Sequence, residues 1–276
     1  MDIRELQKTA NEMRKDIIDM IYTAQSGHPG GSLSAADIFA VLYFKEMNVD
    51  PKNPDWEDRD RLVLSKGHAS PVLYAALAEK GFFPKDKLKT FRKINTKLQG
   101  HPNMNDTPGV DMTTGSLGQG LSAACGMALA GRLDKKGYRA YAVLGDGECE
   151  EGQIWEAAMS AAQYKLDNLT AILDHNGLQI DGRNDEVMNI EPIEDKWKAF
   201  GWYTIRIDGH DMQQIIDALD RAKETKERPT LIIANTVKGK GVSYMENQVG
   251  WHGTAPDKEQ RDKAIEELTQ RGEGIE

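Results

Sequence analysis

The feature that most constrains this chain is a rhythm in its second half. Short apolar runs at 140–144, 169–173, 203–207 and 230–236 alternate with segments of helical spacing near 152–165, 192–200 and 212–225. Strands separated by helices read as a parallel sheet, because each helix carries the chain back to the edge where the next strand starts. Such a sheet is covered on both faces by the connecting helices. One more short buried strand is predicted at 61–64. The fold class is therefore α/β: a parallel β-sheet with helices on both faces. No repeat and no low-complexity linker interrupts the pattern, so residues 1–276 are expected to form a single domain.

The first half reads mainly as helices. Leu6, Ala10, Met13, Ile17, Ile21 and Ala24 recur at three- and four-residue steps and predict a helix over 3–25. Ser26-Gly27-His28-Pro29-Gly30-Gly31 follows, read as a loop that no helix crosses. Ser34, with Asp37 three residues on, is expected to cap a helix running to about Met47 through a capping box. Pro71 starts another helix, and Gly81 closes it. Residues 95–116 look like loop. Residues 117–133 form an Ala- and Gly-rich helix suited to close packing, either inside the core or against a partner. A charged helix is expected at 257–271.

Composition removes several classes of function. There are 35 Lys and Arg against 44 Asp and Glu, a net charge of −9. Non-specific nucleic-acid binding needs a clustered basic surface, and this balance opposes it. No stretch approaches the ~20 apolar residues of a membrane-spanning helix. The charged N-terminus lacks the apolar run of a signal peptide. Only Cys125 and Cys149 occur, so no disulfide scaffold is built. A soluble, cytoplasmic protein is expected.

Open parallel sheets bind ligands at the carboxyl ends of their strands. Two glycine-bearing segments fall there: Gly145-Asp146-Gly147, and Asp174-His175-Asn176-Gly177. The Asp146 carboxylate leaves the end of one strand and Asn176 the end of the next, so the two can converge. Glycines beside Asp146 let backbone and ligand approach closely. Glu151-Gly152 then opens a helix whose first amides can face an anion. One carboxylate, one amide oxygen and a nearby backbone carbonyl suit Mg²⁺ better than Zn²⁺. A single negative ligand also avoids repelling a diphosphate. A tight turn is the bland alternative for Gly-Asp-Gly, and the second strand end at matching spacing outweighs it.

These residues resemble the thiamine-diphosphate fingerprint, and the surrounding sequence resembles transketolase. The segments Ser26-Gly27-His28-Pro29-Gly30, Ser65-Lys66-Gly67-His68-Ala69, Gly100-His101-Pro102, Thr114-Gly115-Ser116-Leu117-Gly118-Gln119-Gly120 and Trp251-His252-Gly253 carry it, in order. The resemblance spans nearly the whole chain but only the cofactor-diphosphate half of that enzyme. It implies the N-terminal subunit of a split transketolase, which moves a two-carbon ketol unit between phosphosugars in the pentose phosphate pathway. The implied partner is a C-terminal, pyrimidine-binding subunit in an α₂β₂ heterotetramer, without which the chain is inactive.

The resemblance also implies roles for particular residues. Asp146 and Asn176 bind the metal through side chains and Leu178 through its carbonyl. The metal is Mg²⁺, with Ca²⁺ or Mn²⁺ as substitutes. Gly115, Ser116, Leu117 and Gly147 line the thiamine diphosphate. Lys66, His68, Lys238 and His252 approach its diphosphate or reactive end. His28 and His101 face the sugar. Glu151 and Glu156 join a proton relay toward the partner. Alternatives within the class are a 1-deoxyxylulose-5-phosphate synthase or a dihydroxyacetone synthase. The His-Pro-Gly after Gly27 favours transketolase over the former. The alternative outside the class is a non-catalytic cofactor-binding regulatory module.

Further readings come from the residues themselves. His28, His68, His101 and His252 each sit beside Gly or Pro, and imidazoles are the natural acid–base groups near neutral pH. His175 is expected to pack or point away, and His210 is left outside the site. Glu148-Cys149-Glu150 departs from the family pattern, and its thiol makes the loop a candidate for oxidation. Gly118-Gln119-Gly120 with Ala123 mimics a dinucleotide motif, but no strand precedes it.

Overall fold

The computed structural model of the chain describes residues 1–275. It opens with α1 (Ile3–Ala24), where Asp2 and Glu5 exchange capping-box hydrogen bonds of 2.9 and 2.8 Å. The face bearing Leu6, Ala10, Met13, Ile17 and Ile21 is buried, as the spacing predicts.

The next segment departs from the sequence reading. A short helix, α2 (Pro29–Ser34), begins inside the presumed loop, with proline in its first turn. Its glycines allow close approach. A Cβ at Gly30 would stand 3.0 Å from the Trp251 carbonyl oxygen and from Lys238 Cγ. The expected capping box at Ser34 does not form. The Ser34 hydroxyl donates to Asp174 instead, and Asp37 faces Arg14. A separate helix, α3 (Ala36–Val41), follows and ends in a π-helical turn at Leu42–Glu46. The capping pattern is misleading here because tertiary partners take both side chains.

Strand β1 (Arg61–Leu64) and α4 (Ser70–Lys80) come next, with Gly81 at φ 96° closing the helix. No α-helix or strand lies between there and α5 (Gln119–Leu133). The second half then alternates: β2 (Ala140–Gly145), α6 (Gly152–Gln163), β3 (Leu169–His175), the short α7 (Asn184–Val187), α8 (Ile193–Ala199), β4 (Tyr203–Asp208), α9 (Met212–Glu224), β5 (Thr230–Asn235) and α10 (Lys258–Glu273).

The five strands form one sheet in the order β1-β2-β3-β5-β4, every pair parallel. Side chains leave each strand alternately to the two faces, and each face builds its own core. Tyr141, Val143, Ile172, Ile205 and Ile232 join α1, α3, α4 and α9 on one side. Ala142, Leu144, Leu173, Leu231 and Ile233 join α5, α6 and α8 on the other. Edge strand β4 is buried on one face only. The carboxyl ends of β1, β2, β3 and β5 lie side by side, and this places the site. Among the described residues, no helix is long and apolar enough to cross a membrane.

Candidate active site

A cleft of about 490 Å³ opens over these strand ends. Asp146 leaves β2 and is 2% exposed. Its carboxylate accepts from two backbone amides, Gly147 N at 2.9 Å and Gly177 N at 2.6 Å. Burial pushes this carboxyl up, the nearby Asp174 adds to that, and the two amides pull the other way without reversing it. Asn176 leaves β3. Its amide nitrogen donates to Asp174 Oδ2 at 3.3 Å, which orients the amide, and its oxygen accepts from Leu178 N at 3.2 Å. The Leu178 carbonyl accepts from the Lys238 ammonium at 2.8 Å.

Three histidines from three distant segments meet over this floor. Ring centroids of His28 and His68 are 5.1 Å apart, His28 and His252 5.4 Å, and His68 and His252 5.2 Å. Lys238 donates to His252 Nδ1 at 2.9 Å, so the neutral ring carries its proton on Nε2. All three imidazoles are pushed down. Burial is the main cause, and neighbouring cations add to it: His28 falls to about 4, His68 to about 2 and His252 to about 3. The cluster is therefore neutral near pH 7, and each ring has one nitrogen that donates a hydrogen bond and one that accepts. His28 Nδ1 is buried without a hydrogen-bond partner.

Gly115, Leu117, Gly147 and Glu151 line the same cleft. His101 does not. It is exposed, lines a neighbouring hollow with Arg92, and touches the cleft wall through Gly115, where a Cβ would come within 3.0 Å of its ring. Ser116 is exposed beside that wall, and Glu156 is exposed on α6. Neither lines the cleft. Lys66 lines it, but its ammonium is held by the Asp174 carboxylate and by the Gly31 carbonyl at 2.9 Å.

Two residues that the sequence reading passed over organise the floor. Asp174 is fully buried and accepts from Lys66, Ser34 and Thr236. Burial pushes its carboxyl up, but Lys66 and the two hydroxyls outweigh that and bring it down. The available signal was a charged residue inside an apolar strand. Glu148 is the second. It is buried and accepts from the Ser65 hydroxyl, from Gly118 N at 2.9 Å and from Gly145 N at 3.0 Å. It thus fastens three loops together. The expectation of an oxidation-sensitive Cys149 fails: the thiol is 1% exposed, and burial raises it well above its ordinary value. Oxidation needs an accessible thiolate, and this environment supplies neither access nor charge. His175 turns to Glu191, 3.0 Å away.

Residues 5–271 match the family model described as transketolase, thiamine diphosphate binding domain. The chain belongs to the transketolase family. It is 49% identical over 268 residues to the 6-deoxy-6-sulfo-D-fructose transketolase subunit of Clostridium sp. (strain MSTE9), covering 97% of this chain and 98% of that protein. It is 43% identical over 276 residues to an apulose-4-phosphate transketolase subunit of Phocaeicola vulgatus, covering 100% of this chain and 98% of that one. Against the transketolase of Mus musculus the identity is 45%, over 96% of this chain but 42% of the mouse protein. The crystal structure of Campylobacter jejuni transketolase superposes with a TM-score of 0.92 at 38% identity, covering 98% of this chain and 43% of that one.

The transketolase cleft here fits a cation carrying a diphosphate. Asp146 is buried, and among the described residues its carboxylate has only backbone amides as hydrogen-bond partners; such a carboxylate gains from a positive charge. The Leu178 carbonyl already faces the Lys238 ammonium, so it is aimed as a cation acceptor. Among the described residues, no three His, Cys, Asp or Glu side chains gather as a metal site. The oxygen donors that Asp146, Asn176 and Leu178 offer would suit a hard cation better than zinc.

Proposed function

We propose that this chain is the diphosphate-binding subunit of a two-chain transketolase, moving a two-carbon ketol unit between anionic sugars with thiamine diphosphate and Mg²⁺. The observation that carries this reading is the buried Asp146 carboxylate, sharing the cleft floor with Asn176 and the Leu178 carbonyl. These three would hold the metal. Lys238 and the walls at Gly115, Leu117 and Gly147 would receive the diphosphate and ring, with Ser116 at the rim. Bound there, the cofactor supplies the nucleophilic carbon and electron sink that let a carbon–carbon bond beside a carbonyl break and re-form.

The chain's own groups handle protons and orientation. His28, His68 and His252, neutral near pH 7, would orient the sugar by hydrogen bonds to its hydroxyls and carbonyl. His252 offers its Nε2 proton. Lys66 positions these elements through Asp174 rather than meeting an anion. His101 would meet the sugar from the neighbouring hollow. Glu151 and Glu156 are exposed in the single chain, as groups facing a second polypeptide would be.

The two subunit-type relatives are named for a sulfonated ketose and a ketose phosphate, which supports a sugar with an anionic end as the substrate class. Their names as subunits support a partner carrying the pyrimidine-binding half, in an α₂β₂ assembly. The single sheet with its two cores supports one domain over 1–276. A cytoplasmic location belongs to the same proposal, supported by the phosphosugar chemistry and the acidic composition.

Asp146→Ala tests the reading. In the assembled enzyme, Mg²⁺-dependent binding of thiamine diphosphate should be lost, as measured by calorimetry. Burial already works against this carboxylate, so its removal should leave the thermal midpoint nearly unchanged. Unaltered cofactor affinity would sink the metal assignment.

A further inference from the structure

We propose that His210 is a positioning residue for Lys238, acting through the backbone amide of Val237. The proposal rests on the reading of Lys238 as a group that meets the cofactor, and it adds a residue that lies outside the cleft. His210 sits between β4 and α9. Its Nδ1 is 2.7 Å from Asp37 Oδ2, and its Nε2 is 2.9 Å from Val237 N. A backbone N–H only donates, so Nε2 is the acceptor and the ring proton is on Nδ1, given to Asp37.

Asp37, in α3, is clasped from its other side by Arg14 of α1, with guanidinium–carboxylate distances of 3.1 and 2.5 Å. Both side chains are almost fully buried. Burial pushes the Asp37 carboxyl up, but Arg14 and His210 outweigh it and bring it down to about 2. The anchor is therefore a fixed anion that holds the ring in one tautomer and one orientation.

The held amide lies at a critical point. Strand β5 ends at Asn235, and Thr236 N makes a last bond to the His175 carbonyl at 3.1 Å. Val237 N then goes to His210. One residue later the Lys238 ammonium reaches both the Leu178 carbonyl and His252 Nδ1. Gly239 N bonds the Gly30 carbonyl at 3.0 Å, so the lysine's backbone is fastened on both sides. A lysine side chain is long and has many rotamers. Its ammonium meets two acceptors only if its Cα is held in place.

Amide hydrogen exchange in the full chain reads this link with no ligand present. His210→Phe keeps a flat ring without either nitrogen and should speed exchange at Val237 about tenfold. His210→Gln, whose amide oxygen can accept the same N–H, should restore part of the protection. Unchanged exchange in His210→Phe overturns the proposal. With the second polypeptide present, His210→Phe should weaken thiamine diphosphate binding about tenfold, while kcat at saturating cofactor stays within about twofold. In a Lys238→Ala background, His210→Phe should have no further effect, because the two act through one group. An equal loss in both backgrounds assigns His210 a general structural role and overturns the proposal. If the wild-type assembly binds no thiamine diphosphate, the cofactor reading falls, and exchange at Val237 still decides the link.

Discussion

Asp146, just past β2, and Asp174, near the end of β3, are both buried, but among the described residues only Asp174 is ion-paired with an ammonium, that of Lys66; the Lys238 ammonium acts on Asp146 from farther off. That difference separates a carboxylate that the protein has already neutralised from one that a cation would complete. The histidine triad shows the same logic for cations. Burial and nearby positive charge hold His28 near 4, against an ordinary 6.5. In the unfolded chain it protonates near its ordinary value. Between these limits the unfolded chain binds more protons, so folding stability is full above about pH 6.5 and falls as the pH drops toward 4. His28→Gln should flatten that slope, measured by urea denaturation at pH 7 and pH 5. Equal slopes in wild type and variant would refute the burial argument.

At the scale of elements, α5 is held against the end of β1 by the absence of a side chain. A Cβ at Gly120 would lie 2.5 Å from Ser65 Oγ and 2.6 Å from Ser65 Cα. Backbone cannot yield as a flexible side-chain tip does. Gly120→Ala should therefore cost about 1–3 kcal/mol, the usual range for overpacking, and should disturb the loop bearing Lys66. Thermal and urea unfolding of the variant check this, and wild-type stability would show that the helix can shift at no cost. Leu121, Ala124, Cys125 and Ala128 of α5 are buried within this chain, so that face is core. The element boundaries were largely readable, because apolar runs and glycine stops act locally. The exceptions were α2, the short α7 and the Ser34 cap. The first and last depend on what lies opposite in space: Lys238 and Trp251 against Gly30, and Asp174 against Ser34.

For the whole molecule, the chain spans 98% of the Clostridium and Phocaeicola vulgatus subunits but only 42% of the mouse transketolase. On the proposed reading, a cofactor site completed by another polypeptide leaves a single chain without turnover. The purified chain should show no ketol transfer. Mixing with the pyrimidine-binding subunit should restore it, with a mass near α₂β₂ by light scattering. Full activity from the single chain would refute the two-chain reading.

The sequence by itself determined the parallel α/β fold, the strand ends that carry Asp146 and Asn176, and the histidine-bearing loops. Those follow from periodicity and from glycine and proline placement, which are properties of neighbouring residues. Only the tertiary structure decided which charges meet. It paired Lys66 with Asp174, tied Glu148 to Ser65 and Gly118, buried the Cys149 thiol, left His101 outside the cleft and linked His210 to Val237. Each outcome depends on side chains far apart in sequence that share a low-dielectric interior. There, a buried polar group must find a partner, and the fold dictates which one it finds.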